Sequence, residues 1–189
     1  YSAEVGVLAS AGGDAVAVIG YLDQGGKGII QGSLDSGAFD TFILSDGMIG
    51  DSLTDTFGKS LNKSFGSLPG STGKGAGIFA KVAGKAGIDP SGPYTGESYD
   101  AAALIVLAMQ AGGSADRGSI AKNVMAVANG PGKKIYPGQL KKALDLLAKG
   151  KAVDYEGATG VIFTDVGEHV GNFLEKEVKG GKFKTKKQR

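Results

Sequence analysis

The sequence has no cysteine, no tryptophan and a single histidine, His169, among 189 residues. Without thiols there is no disulfide, no thiolate nucleophile and no cysteine-bound metal, and one histidine does not make a zinc site. The missing cysteines leave the compartment open, because exported proteins also lack them. Long apolar runs are absent too. The longest, AAALIVLAM at residues 101–109, is far short of the ~20 residues a membrane-spanning helix needs, so the sequence does not read as an integral membrane protein. Strong charge of either sign is also missing: Lys and Arg number 21 against 19 for Asp and Glu. Six of the basic residues (Lys179, Lys182, Lys184, Lys186, Lys187 and Arg189) lie in the last eleven positions. Without them the body is mildly acidic, and nothing calls for nucleic acid. This basic tail is expected to be a solvated, frayed end. The opening YSAEVGVL has neither an initiator methionine nor the charged and apolar regions of a signal peptide, and it reads as a chain entered partway along a helix.

What is present is an alternation of strand-like and helix-like segments. With 41% hydrophobic residues, the chain is long enough to bury a core as one large domain or parts of two. Val5 and Leu8 suggest a helix that stops at Gly12 and Gly13. DAVAVIG, residues 14–20, is a β-branched apolar run of the kind buried on both faces of a parallel sheet. A helix is expected over residues 24–36, with Ile29, Ile30 and Leu34 on one side and Gly37 as its stop. TFIL, residues 41–44, is the next buried strand. This β-α-β pattern predicts an open α/β sheet, which binds ligands at the carboxyl ends of its strands. Tyr21 and Asp46 sit at two such ends.

Further along, residues 50–92 are rich in Gly, Ser and Pro around an amphipathic helix at 75–86, and FGSLPGST (65–72) is the candidate crossing between lobes. An apolar helix is predicted at 98–111, stopped by Gly112 and Gly113, with others at 119–128 and 137–149. YEGATGVIFTDVGEHVG (155–171) reads as a short strand with a glycine turn, and residues 173–178 as a last strand before KGGKF.

The 34 glycines invite a nucleotide site, and each version fails on spacing. Gly58, Lys59 and Ser60 end a phosphate-binding loop whose first glycine would fall at Leu53; Gly73 and Lys74 are followed by Gly75 where Ser or Thr should stand; and GYLDQGG is not G-x-G-x-x-G. They read as turns. His169 reads as a solvent-facing polar residue of a turn, no G-x-S-x-G elbow accompanies it, and Asp154 and Glu156 read as a solvated turn. No catalytic residue, metal site or cofactor is predicted. Asp46 differs, since a carboxylate at a ligand-facing strand end can pair with an ammonium through a charge-assisted hydrogen bond. From periodicity alone the turn or cap reading of Asp46 leads, and Tyr21 reads either as core edge or as pocket wall.

Three segments together carry a resemblance: DAVAVIGYLDQGGKGIIQGSLDSGAFDTFILSDG, DPSGPY with SYDAAALIVLAMQAGGS, and VDYEGATGVIFTDVGEHVG with VKGGKF. Over essentially its whole length the chain resembles the second half of the leucine/isoleucine/valine-type substrate-binding proteins of bacterial ABC importers. The resemblance implies a periplasmic-binding-protein type I α/β fold: two open parallel-sheet lobes joined by a multi-strand hinge, here as a partial chain. Residues 1–68 would belong to the C-terminal lobe and 69–170 to the N-terminal lobe, with 171–189 returning to the C-terminal lobe and carrying the basic tail. It further implies a periplasmic, non-enzymatic protein that closes on an amino acid, branched-chain or otherwise aliphatic, and delivers it to a membrane permease. By the same resemblance Tyr21, Asp46 and Tyr94 face the ligand, Asp46 against its α-ammonium and the two tyrosines as apolar walls. The family often has Glu where this chain has Asp46. Its first half, which supplies the carboxylate-gripping Ser/Thr and backbone N–H groups, has no counterpart here, so tight binding by these residues alone is not expected. A ligand-sensing domain of a receptor or regulator on the same fold is the alternative, ahead of an α/β enzyme.

Overall fold

The computed structural model describes residues 1–189. It contains seven helices, α1 (Ser2–Ala11), α2 (Lys27–Ser36), α3 (Asp51–Phe57), α4 (Lys74–Lys85), α5 (Thr95–Gly112), α6 (Arg117–Asn129) and α7 (Leu140–Leu147). The strands are β1 (Val16–Val18), β2 (Phe42–Leu44), β3 (Phe65–Pro69), β4 (Lys133–Ile135), β5 (Val153–Tyr155), β6 (Phe173–Lys179) and β7 (Lys182–Gln188). The chain divides into two units, Tyr1–Pro69 with Phe173–Arg189, and Gly70–Asn172. No helix is long and apolar enough to cross a membrane.

The first unit is built on a five-stranded sheet of order β1-β2-β3-β6-β7. Its first three strands are parallel, and β6 and β7 add to β3 in antiparallel fashion. Val16 and Val18 pair with Phe42 and Leu44, and these four join Ile30 of α2, Leu53 of α3, Met48, Leu61, Leu68 and Val178 in one buried core. The apolar runs predicted strands buried on both faces. Within this unit only alternate residues are buried: Ile43, flanked across the sheet by Ala17 and Phe65, is 41% exposed and Phe65 is 44%. Helices α2 and α3 both pack on the opposite face, and an apolar run does not by itself say how many faces are covered.

Helix α2 begins at Lys27 rather than at residue 24, because Gln24 (φ −115, ψ 41) and Gly25 (φ 102) are not helical and residues 22–26 form a wide turn instead. The larger correction is the basic tail. It is not frayed: Lys182–Gln188 is strand β7, hydrogen-bonded along β6. The turn between them is Gly180–Gly181, with φ of 65° and 75°, the pair of positive angles that a tight hairpin needs and that glycine supplies without strain. Lys186, Lys187 and Arg189 gather around Glu175 on β6. Burial acts to raise the Glu175 carboxyl, but Arg189, Lys187 and Lys186 together outweigh it and hold it below the usual range.

In the second unit β4, α7 and β5 form a parallel crossover, with Lys133 opposite Val153 and Ile135 opposite Tyr155. Helices α5 and α6 pack beside it around Leu104, Leu107, Ala108, Val127, Ala128 and Ala143. Asp116 caps α6 by accepting hydrogen bonds from the N–H groups of Gly118 and Ser119, and Phe79 of α4 packs at a tilt against Tyr99 of α5 with ring centroids 5.2 Å apart.

Candidate functional site

In the first unit the carboxyl ends of β1 and β2 are adjacent, because the two strands are parallel and in register from Val16 to Val18. Each runs directly into a turn: residues 19–26 after β1, and a single tight turn, Asp46–Met48, after β2. Ser45 ties the two ends together. Its hydroxyl accepts a hydrogen bond from the Gly20 N–H and donates one to the Gly20 carbonyl, each at 3.2 Å, while the Ser45 N–H donates to the Val18 carbonyl.

Tyr21 leaves this junction with 61% of its surface exposed. Its ring lies against Gly47, where a β-carbon would stand 2.8 Å from the ring's Cδ1 and 2.5 Å from the Gly20 oxygen. Asp46 is half-buried, and its Oδ1 accepts a 2.7 Å hydrogen bond from the Gly47 N–H. The aromatic ring and the carboxylate are therefore set by neighbouring residues of one turn. Tyr94 belongs to the second unit. It precedes α5, is 39% exposed, and holds a left-handed backbone at φ 59, the one non-glycine residue with positive φ. For a tyrosine that conformation costs about 1–2 kcal/mol, and such strain tends to collect at functional positions.

The expected solvated turn at Asp154 and Glu156 is corrected: Asp154 lies in strand β5, with Glu156 just beyond its end, and both are only partly exposed. His169 is exposed and stands opposite Phe163 in a single antiparallel bridge, with Nδ1 3.1 Å from the Ile162 oxygen. Asp154 and Glu156 both pair with Lys134. No group of His, Asp and Glu side chains is arranged to hold a metal ion.

One residue escaped sequence reasoning. Asp100 is 2% exposed, and its carboxylate accepts hydrogen bonds from the Tyr155 hydroxyl, the Ala158 and Thr159 N–H groups and the Thr159 hydroxyl, at 2.8–2.9 Å. Burial, followed by the nearby Asp100 charge, pushes the Tyr155 phenol well above its ordinary value. A signal was available: Asp100 stands on the same helical stripe as Ala103, Leu104 and Leu107, all buried, and a carboxylate in such a stripe must find donors.

Comparison with known proteins agrees with this fold. No protein-family model matches the chain. A leucine-binding protein, LivK, of Thermotoga maritima superposes with a TM-score of 0.71 at 19% identity, over 99% of this chain and 47% of its own. A type 1 periplasmic binding protein of Bordetella pertussis gives 0.65 at 19% identity, over 98% and 49%. In sequence, the chemotactic signal transduction system substrate-binding protein BasB of Halobacterium salinarum is 35% identical over 98 residues, 51% of this chain and 24% of that protein. The chain has the type I periplasmic-binding-protein fold and spans about half the length of these solved structures.

Proposed function

We propose that the chain is part of a two-lobed solute-binding protein that captures an amino acid, branched-chain or otherwise aliphatic, and catalyses no reaction. Residues 1–68 and 171–189 belong to one lobe and 69–170 to the other, and the remaining half of the protein supplies the groups that grip the ligand carboxylate. Asp46 meets the α-ammonium, and Tyr21 and Tyr94 offer flat apolar walls to the side chain, an economical arrangement because a tyrosine has few rotamers to lose. The observation that carries the reading is the pairing of Tyr21 and Asp46 at adjacent carboxyl ends of parallel strands, where α/β sheets bind ligands. The left-handed backbone of Tyr94 supports its inclusion. The protein acts outside the cytoplasmic membrane and hands its cargo to the permease of an ABC importer. Titration calorimetry of the complete protein with L-leucine, L-isoleucine and L-valine tests this: saturable binding that Asp46→Asn weakens is expected, and no binding of any of the three overturns it.

A second reading has its own support, since BasB is named as part of a chemotactic signal transduction system. There the same capture event serves a receptor. Deleting the gene separates the two: loss of amino-acid uptake marks the importer, and loss of chemotaxis with uptake intact marks the sensor.

A further inference from the structure

The two turns at the ends of β1 and β2 are locked together by glycines on both sides. The second turn offers Gly47 to the ring of Tyr21 and, three residues on, Gly50 to Leu22, whose Cδ1 would stand 3.0 Å from a β-carbon there. The first turn offers Gly26 to Met48: a β-carbon at Gly26 would stand 2.2 Å from the Met48 sulfur and 2.8 Å from the Tyr21 carbonyl oxygen. Met48 is fully buried. Large side chains of each turn thus sit in notches that only glycine leaves open in the other. Ser45 closes the junction through its two hydrogen bonds to Gly20.

From this reciprocal packing we infer that Gly47 and Met48 are positioning residues: they fix the Tyr21 ring beside Asp46 and thereby determine how well the pair receives a ligand, without touching the ligand themselves. The ring rests its Cδ1–Cε1 side on Gly47 while Tyr21 as a whole is more than half exposed. A side chain with that much freedom holds one orientation only if its supporting face is shaped for it, and a ring already oriented loses less entropy when a ligand arrives. A methyl at residue 47 meets both the ring and the Gly20 carbonyl, so it displaces the ring and spreads the strand ends. Truncating Met48 empties the Gly26 notch and releases the turns from the other side.

The inference rests on the ligand reading above for its consequence in binding, and its test separates the two. The complete protein is labelled with 3-fluorotyrosine, and the Tyr21 fluorine resonance is assigned through Tyr21→Phe. Gly47→Ala and Met48→Ala are expected to shift or broaden that resonance, and Met48→Leu, which refills the notch, to restore it. Leu61→Ala, a truncation of an equally buried residue in the same core, is expected to lower stability and leave the resonance in place. In the complete protein, Gly47→Ala and Met48→Ala should weaken L-leucine binding by about tenfold or more, with Met48→Leu and Leu61→Ala near wild type. A Tyr21 resonance unmoved by both substitutions overturns the inference, as does a moved resonance with L-leucine affinity unchanged. If Gly47→Ala does not fold, the Met48→Ala and Met48→Leu pair decides. A wild-type protein that binds no aliphatic amino acid overturns the ligand reading instead, and the resonance alone then judges the interlock.

Discussion

The hydroxyl of Tyr155 donates a 2.8 Å hydrogen bond to Oδ1 of Asp100, joining the end of β5 to the second turn of α5 across 55 residues of sequence. The same carboxylate collects the N–H groups of Ala158 and Thr159, so one buried acid organises a whole loop of the second unit. Asp100→Ala strands these donors in the interior. At ~1–3 kcal/mol for each buried donor left without an acceptor, the expected loss is roughly 3 kcal/mol or more, read from urea denaturation. Asp100→Asn should lose less, because an amide oxygen still accepts.

The Tyr155 phenol carries a pH consequence. Its proton is held more tightly in the folded chain than in the unfolded one, first by burial and then by the Asp100 charge. A raised value of this kind contributes stability that is complete below the ordinary tyrosine range, near pH 10. Above it the unfolded chain releases a proton that the folded chain keeps, and stability falls by up to ~1.4 kcal/mol per pH unit. Urea midpoints measured between pH 8 and 11 should decline more steeply for wild type than for Tyr155→Phe.

For the proposed ligand site, Asp46→Asn in the complete protein keeps the shape of the side chain and removes its charge. Losing one partner of a desolvated charge pair costs ~2–5 kcal/mol, roughly thirtyfold to several thousandfold in affinity. Calorimetry with L-leucine and with 4-methylpentanoate, its counterpart lacking the amino group, should show the full loss for the first and a much smaller one for the second. Equal losses would remove Asp46 from the ammonium position.

The alternation of elements was legible because it rests on local signals. The apolar run of α5 with its two-glycine stop, the helix of α2 ending at Gly37, and the short strands β1 and β2 all follow from composition within a dozen residues. Strand β7 was not legible. Its lysines read as a solvated end, and it becomes a strand only through pairing with β6, a tertiary effect that overrides local preference. The Gly180–Gly181 turn was the available hint. At the site, the strand ends could be placed from sequence, whereas the seating of Tyr21 on Gly47 depends on distances between two turns that no spacing rule encodes.

The ordering of β7 has its own test. Glu175 draws Lys186, Lys187 and Arg189 to one point, and exposed pairs of this kind are weakened by salt. Glu175→Gln should speed amide exchange at residues 187–189 at low ionic strength, and the difference from wild type should shrink in 0.5 M salt. Exchange unaltered by the substitution would show that backbone pairing with β6 alone holds the strand.

The five-stranded sheet finishes in two unlike edges. On one side lies β7, whose Lys182, Lys184, Lys186 and Lys187 repel an approaching strand; on the other lies β1, three residues without a charge. That row of lysines discourages strand addition at the β7 edge of the sheet.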